Sequence, residues 1–336
     1  MDDGQLSTEA SITRSRGQSG KYWLTYRSGG GSNDVHESPY SIVFRTPELL
    51  AIFGALIVFE ILWCKFYLKR DYGSGEAFAS IGIAIGRAAA KAVMGVMMAG
   101  LYMFVYELRL FTIDMTDWKS WVMLFLGADF CYYWMHRFKH EIRWMWADHS
   151  VHHSGNYLNF FMNYRLGWTG LIVGTWLMYL PLVLLGFHPA TVVTAFALSL
   201  VWQFWVHTDI IGKTGPLEWV LNTPSHHRVH HARNPIYLDK NYAGVLIIWD
   251  RLFGSFQEEL EEEPVDYGLV TPLNSLNPFV IAFHEWGNLI RDVRQARTWN
   301  ERLRSAFGRP GDVAQAKRTV QNETNTSPDT AGHTAT

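Results

Sequence analysis

Three histidine clusters lie between residues 136 and 231: His136 with His140, then His149, His152 and His153, then His227, His230 and His231. The spacing is H-x3-H, followed twice by H-x2-H-H. On a helix, residues three and four apart share a face, so each cluster can aim two or three imidazoles at one point. Imidazole suits Fe, Zn, Cu and Ni. Eight such ligands are too many for one ion, so the pattern calls for two metals held side by side. Cys64 and Cys131 show no C-x-x-C spacing and read as buried apolar fillers. The donor set is therefore nitrogen and oxygen, which excludes iron–sulfur chemistry and Cys-based structural zinc.

Carboxylates near the clusters extend the candidate site. Asp129 stands seven positions before His136, two helical turns away on the same face, inside an apolar stretch. A carboxylate placed there is costly and is a functional candidate by default; it is expected to accept a hydrogen bond from a ligand imidazole. Glu141 and Asp148 flank ligands and are candidates for the same work, and Asp209 is a third catalytic carboxylate candidate beside Glu141 and Asp129. His207, at the end of an apolar run, is expected as a ninth ligand. His226 joins the metal candidates, as a ligand or as support behind one. His284 stands alone and reads as structural.

The elements that position these residues are apolar helices. With 29 Lys+Arg against 31 Asp+Glu, formal charge is −2, and nothing points to a nucleic-acid partner. Residues 1–45 form a polar, poorly ordered tail by composition, 46–290 a membrane-embedded catalytic domain, and 291–336 a second polar, disordered tail. From 166 to 206 there is no Asp, Glu, Lys or Arg, and His188 sits beside Pro189. A spanning helix needs about 20 apolar residues, so two spans are expected, 166–187 and 189–206, joined by a tight turn. Earlier candidates are 49–64, interrupted by Glu60, 92–106, and 120–135, which carries Asp129. They are short, and tilt with snorkelling flanks accommodates that. Trp118, Trp121, Trp134, Trp168 and Trp205 near span ends fit interfacial belts. The fold class expected is an all-α integral membrane protein with four to five transmembrane helices and a cytoplasmic histidine-rich cap. Lys65, Lys69, Arg70, Arg87, Lys91, Arg137, Lys139, Arg143, Arg228 and Arg233 fall on one side, which the positive-inside rule makes cytoplasmic. All three clusters lie on that side, and His188 falls on the other. No Arg-rich leader or small-residue cleavage site is expected ahead of the first span.

Two longer stretches carry a family resemblance. Asp129-Phe-Cys-Tyr-Tyr-Trp-Met-His136-Arg-Phe-Lys-His140-Glu141, followed by Trp146-Ala-Asp-His149-Ser-Val-His152-His153-Ser154, resembles the fatty acid hydroxylase / sterol desaturase superfamily. Leu221-Asn-Thr-Pro-Ser-His226-His227-Arg-Val-His230-His231-Ala-Arg-Asn and Asp239-Lys-Asn-Tyr-Ala-Gly-Val-Leu-Ile-Ile-Trp-Asp250-Arg-Leu-Phe-Gly254-Ser-Phe are similar to its alkylglycerol monooxygenase branch, as is Gln203-Phe-Trp-Val-His207-Thr. The resemblance covers roughly residues 50–285. It implies an integral membrane, O2-dependent monooxygenase that hydroxylates or desaturates lipid C–H bonds with two non-haem iron ions. Carried over, the family's eight-histidine motif falls on His136, His140, His149, His152, His153, His227, His230 and His231. After His153 the chain departs from its relatives, and the segment 155–164 is expected to line the substrate's entry.

Such a reaction needs electrons from outside. There is no G-x-G-x-x-G after a strand pattern and no His-Pro-Gly-Gly haem signature. The resemblance implies an external donor, tetrahydrobiopterin in the alkylglycerol branch, otherwise cytochrome b5 or a ferredoxin-type protein. Ether-lipid oxidation would yield a hemiacetal that falls apart to an aldehyde and a glycerol derivative. Within the same chemistry a sterol oxidase or desaturase, a carotenoid hydroxylase and an ornithine-lipid hydroxylase stay open. A histidine-lined metal transporter is the alternative from another class; its ligands would sit near the membrane midplane, whereas here they follow span ends.

Overall fold

The computed structural model describes residues 11–16, 22–27 and 47–313. The chain divides into two compact units, 1–42 and 43–336. In the first, β1 (Ser11–Arg16) pairs antiparallel with β2 (Tyr22–Arg27), Ser11 opposite Arg27 and Arg16 opposite Tyr22. That hairpin falls in the stretch expected to be poorly ordered. The helical architecture expected from the sequence therefore describes the second unit.

Helix α1 (Pro47–Leu62) runs on through a π-helical turn, Trp63–Leu68, to make a 22-residue apolar helix long enough to cross a bilayer. Its burial pattern is inside-out. Leu50, Ile52, Val58, Phe59 and Leu62 face outward, and within Pro47–Leu62 the fully buried residue is Glu60. Apolar side chains outside with the mid-helix carboxylate inside, and Glu48 left at the exposed first turn, is what a lipid surrounding selects. Helix α2 (Ser74–Glu107) is bent by 44° between Ala92 and Gly95, and also exposes large apolar residues, among them Phe78, Ile85, Val96 and Phe104. The expected span 92–106 is thus the second arm of a longer bent helix.

Helix α3 (Trp118–Glu141) contains the expected span 120–135 and carries the first cluster at its end. Asp117 caps it, accepting from Lys119 N, which satisfies one of the N–H groups a helix start leaves orphaned. A single extended residue, Ile142, separates it from α4 (Arg143–His153). That one-residue break folds α4 back on α3, so the second cluster faces the first. Arg143 holds the turn from outside through Glu285 (2.9 Å) and Asp292 (2.6 Å).

The expected span 166–187 is not a single helix. It breaks into α5 (Gly170–Val173), a 3-10 turn Thr175–Tyr179, and α6 (Leu180–Leu185). Gly174 stands between them at φ +74°, a left-handed conformation that ends a right-handed helix. Tyr179, Leu182 and Val183 instead pack on Leu124, Ala128, Cys131 and Tyr132 of α3 in the main apolar core. Helix α7 (Pro189–Phe204) follows a turn capped by His188, whose Nδ1 accepts from Ala190 N. Of the five expected spans, then, one is met by a helix that alone is long and apolar enough.

The third cluster lies on α8 (Pro224–His231), followed by the short α9 (Ile248–Phe253). Helices α10 (Pro278–Gln295) and α11 (Trp299–Phe307) follow among the described residues. Helix α11, opened by a Thr298/Glu301 capping box, forms inside the stretch 291–336 that composition assigned to a polar tail.

Candidate metal centre

Nine histidines converge, all of them buried. They divide into two groups whose ligand atoms lie within 4.8 Å of one another. The first holds His136 and His140 of α3, His149 and His153 of α4, and His230 of α8. The second holds His152 of α4, His227 and His231 of α8, and His207, just past α7. The two cages adjoin, the rings of His153 and His231 stacking across the boundary with centroids 4.4 Å apart.

Backbone carbonyls set the tautomers. His136 Nδ1 lies 2.7 Å from Tyr242 O, His152 Nδ1 3.2 Å from Arg165 O, His207 Nδ1 2.7 Å from Gln203 O, and His230 Nδ1 2.9 Å from Lys240 O. A carbonyl only accepts, so each of these Nδ1 atoms carries the hydrogen, and in the neutral ring each Nε2 is left with a bare lone pair. Within each cage Nε2 atoms face one another. His152 Nε2 sits 3.0 Å from His207 Nε2, which is 2.9 Å from His227 Nε2, which is 3.1 Å from His231 Nε2. His136 Nε2 and His149 Nε2 are 2.9 Å apart.

Two imidazoles bound to one ion at about 2.1 Å and about 90° would bring their nitrogens about 3.0 Å apart. The observed separations match. His140, His153 and His230 also leave a buried Nε2 with no hydrogen-bond partner, an arrangement that is costly unless a cation takes the lone pair. The residues fit two metal ions with histidine-only inner ligands. Burial pushes His149, His152, His153, His227, His230 and His231 well below their ordinary value and His207 down to about 4, so these ligands stay neutral.

Of the sequence candidates, the eight motif histidines and His207 are brought together. His226 is not; its ring lies outside both groups, against Phe256. His284 is held by its own helix, its Nδ1 2.8 Å from Ile281 O.

The carboxylates are placed differently from expectation. Asp129 does not reach a ligand imidazole. It accepts from Val245 N, Leu246 N and Trp249 Nε1, each at 3.0 Å. Glu141 pairs with Arg137 and Arg309, and Asp209 with Arg70. Asp148 accepts from Thr169. The carboxylate that does approach a ligand is Asp239, 3.5 Å from His140 Nδ1.

Asp129 nonetheless serves the site at one remove, because the stretch it anchors carries the carbonyl that fixes His136. Asp250 holds the same stretch from the other side, accepting from Tyr242 N and Ala243 N at 2.8 Å each. Asn222 adds Nδ2 to Ala243 O, and Asn241 ties His226 O to the chain at Gln257. A Cβ at Gly244 would lie 2.8 Å from the Tyr132 ring and 3.2 Å from Asp129 Oδ1, so the backbone passes close to both. The sequence signal for Asp250 was a carboxylate directly after the apolar run Val-Leu-Ile-Ile-Trp.

Two cavities bear on the candidate site. A polar one of about 320 Å³ beside the five-histidine cage is lined by Arg137, Glu141, Asp239, Lys240, Tyr242 and Arg309, among others. An apolar one of about 420 Å³ lies between α1 and α2, lined by Ile57, Ile81, Ala84, Ile85, Phe161 and Tyr164 with Ala88. Phe161 and Tyr164 belong to the 155–164 segment.

Residues 121–255 match the family model described as fatty acid hydroxylase. The alkylglycerol monooxygenase of Homo sapiens is 46% identical over 184 residues, 54% of this chain and 40% of that protein. The alkylglycerol monooxygenase of Xenopus tropicalis is 34% identical over 280 residues, 83% of this chain and 61% of that protein. The ornithine lipid hydroxylase OlsE of Rhizobium tropici is 28% identical over 253 residues, 70% of this chain and 72% of that protein. The chain thus spans between 40% and 61% of the length of those two alkylglycerol monooxygenases. No solved structure matches. Residues 121–255 are a fatty acid hydroxylase domain, and the chain is like the alkylglycerol monooxygenases.

Proposed function

We propose that this fatty acid hydroxylase-type chain is a membrane-bound di-iron oxygenase that inserts one atom of O2 into a lipid C–H bond, with a glycerol ether as substrate. The observation that carries the reading is the pair of adjoining cages, nine buried imidazoles with no thiolate. The similarity to alkylglycerol monooxygenases supports the substrate class. Two iron ions would bind at His136, His140, His149, His153 and His230, and at His152, His207, His227 and His231, supplying O2 activation and electron transfer.

The chain's own part is positioning and exclusion of water. Carbonyls of Gln203, Arg165, Tyr242 and Lys240 hold ligand rings in the tautomer that leaves Nε2 free. Burial of all nine ligands keeps bulk water from the reacting centre. The apolar cavity beside Phe161 and Tyr164 accepts an alkyl tail, and the polar cavity beside Tyr242 admits a reductant such as tetrahydrobiopterin, with cytochrome b5 or a ferredoxin-type protein as the alternative donor. The balance is C–H plus O2, two electrons and two protons, giving C–OH and water. On the carbon next to an ether oxygen the product is a hemiacetal, which separates into aldehyde and glycerol. We place the site at the cytoplasmic face of a multi-pass chain, because Arg137, Lys139, Arg143, Arg228 and Arg233 stand beside its ligands in the sequence.

Full chain in lipid nanodiscs, loaded with iron and given O2, tetrahydrobiopterin and a 1-O-alkylglycerol, is expected to release fatty aldehyde, read by mass spectrometry. Absence of any oxygenated lipid with pterin or protein donors would overturn the reading. The match takes in 72% of the ornithine lipid hydroxylase's own length against 61% of the Xenopus alkylglycerol monooxygenase's, which favours one second substrate, an aminolipid acyl chain, whose product would be heavier by one oxygen and uncleaved.

A further inference from the structure

Glu60 lies in the first apolar helix, outside the segment that matches the family model, and is fully buried. Three donors converge on it. Tyr72 Oη donates to Oε2 at 2.6 Å, Phe160 N to the same oxygen at 2.9 Å, and Thr208 Oγ1 to Oε1. Two of these donors sit on the backbone that carries the four-histidine cage. Thr208 follows the ligand His207 directly. Phe160 opens the 3-10 turn Phe160–Tyr164, after which Arg165 offers its carbonyl to His152 Nδ1.

The same face of α1 makes a second hold. Phe53, seven residues before Glu60, stacks on Phe204 with centroids 4.1 Å apart, and Phe204 stacks on Phe160 at 4.9 Å. Asn163 Nδ2 donates to Phe204 O at 3.1 Å, closing the brace between the turn and the end of α7. Among the described residues nothing comparable links α1 to the five-histidine cage, whose carbonyl anchors, Tyr242 and Lys240, lie on the stretch held by Asp129, Asp250 and Asn222.

We propose that Glu60 is a positioning residue for the four-histidine metal site, a membrane-helix carboxylate that fixes His152 and His207 by holding Phe160 and Thr208. This rests on the two-metal reading above. A carboxylate buried in an apolar helix is costly, and removing an outer partner of a ligand histidine typically weakens metal binding about 10–100-fold.

The test is Fe(II) binding to metal-free full chain in nanodiscs, anaerobically, followed by stoichiometry and two-site titration. Wild type is expected to hold two ions. Glu60→Ala is expected to lose about 10–100-fold in affinity at one site alone. Glu60→Gln, which keeps an acceptor for Phe160 N and Tyr72, should recover most of it. Thr208→Val, which removes only one hydroxyl, should weaken that same site and serves where Glu60→Ala does not fold. Equal weakening of both sites, or wild-type binding in Glu60→Ala or Thr208→Val, would overturn the inference. Wild type holding one ion would overturn the two-metal reading instead.

Discussion

The two cages use the same ligand but are built in different ways. The five-histidine cage takes four ligands from the α3–α4 pair, where the one-residue break at Ile142 sets the helices against each other. Its outer support comes from a single stretch, 239–246, pinned by Asp129, Asp250 and Asn222. The four-histidine cage has His207 at a helix end and His152 leaning on a 3-10 turn, with its bracing from α1. One site is made rigid by helix packing and the other by hydrogen bonds between segments. A mutation in the support of one is therefore expected to leave the other intact.

The sharpest test uses neighbours in sequence. His152 and His153 adjoin but belong to different cages. His152→Ala and His153→Ala are each expected to lose about 100-fold or more in turnover, a complete ligand loss exceeding the cost of losing an outer partner. Metal analysis should show each variant with one ion, lost from opposite cages. Loss of both ions in either variant would show that the cages are one cooperative unit.

Acid should act on both cages together. The folded chain holds His149, His153 and His230 of one cage, and His152, His227 and His231 of the other, neutral, because burial lowers their values from an ordinary 6.5. The unfolded chain protonates at the ordinary value, so below it the unfolded state binds more protons and stability falls as pH falls. The loss begins near pH 6.5 and continues downward, at most about 1.4 kcal/mol per pH unit for each such histidine. Thermal unfolding of the metal-free chain between pH 7.5 and 5 checks it. A midpoint insensitive to pH over that range would contradict the buried, neutral ligand set.

Asp129→Asn is expected to have a smaller and local effect. It sets an amide NH2 against the donors of Val245, Leu246 and Trp249, loosening the stretch that carries Tyr242 O. Iron affinity should fall about 10–100-fold at the five-histidine cage and hold at the other. Equal weakening in both would remove the distinction between their supports.

Local spacing determined much of this protein. H-x3-H and H-x2-H-H place ligands on one helix face because the α-helix repeats every 3.6 residues, and the lack of usable cysteine pairs fixed the donor chemistry. His207 was legible from its place at the end of an apolar run. What spacing left open was which histidine belongs to which cage. His227 and His231 share a cage while His230, three residues from His227, turns to the other. Consecutive residues on a helix diverge by about 100°, so a cluster can straddle two centres, and only the packing of α3, α4 and α8 decides the division. The carboxylates show the same limit. Asp129 lies on the face expected of it, yet its partners come from Val245, Leu246 and Trp249, far along the chain. Glu60 reads in sequence as a flaw in an apolar span, and only the fold brings Phe160 and Thr208 to it. The break at Gly174 likewise turned an apolar run of spanning length into core packing, because hydropathy measures what a segment can bury and not whether its backbone stays helical.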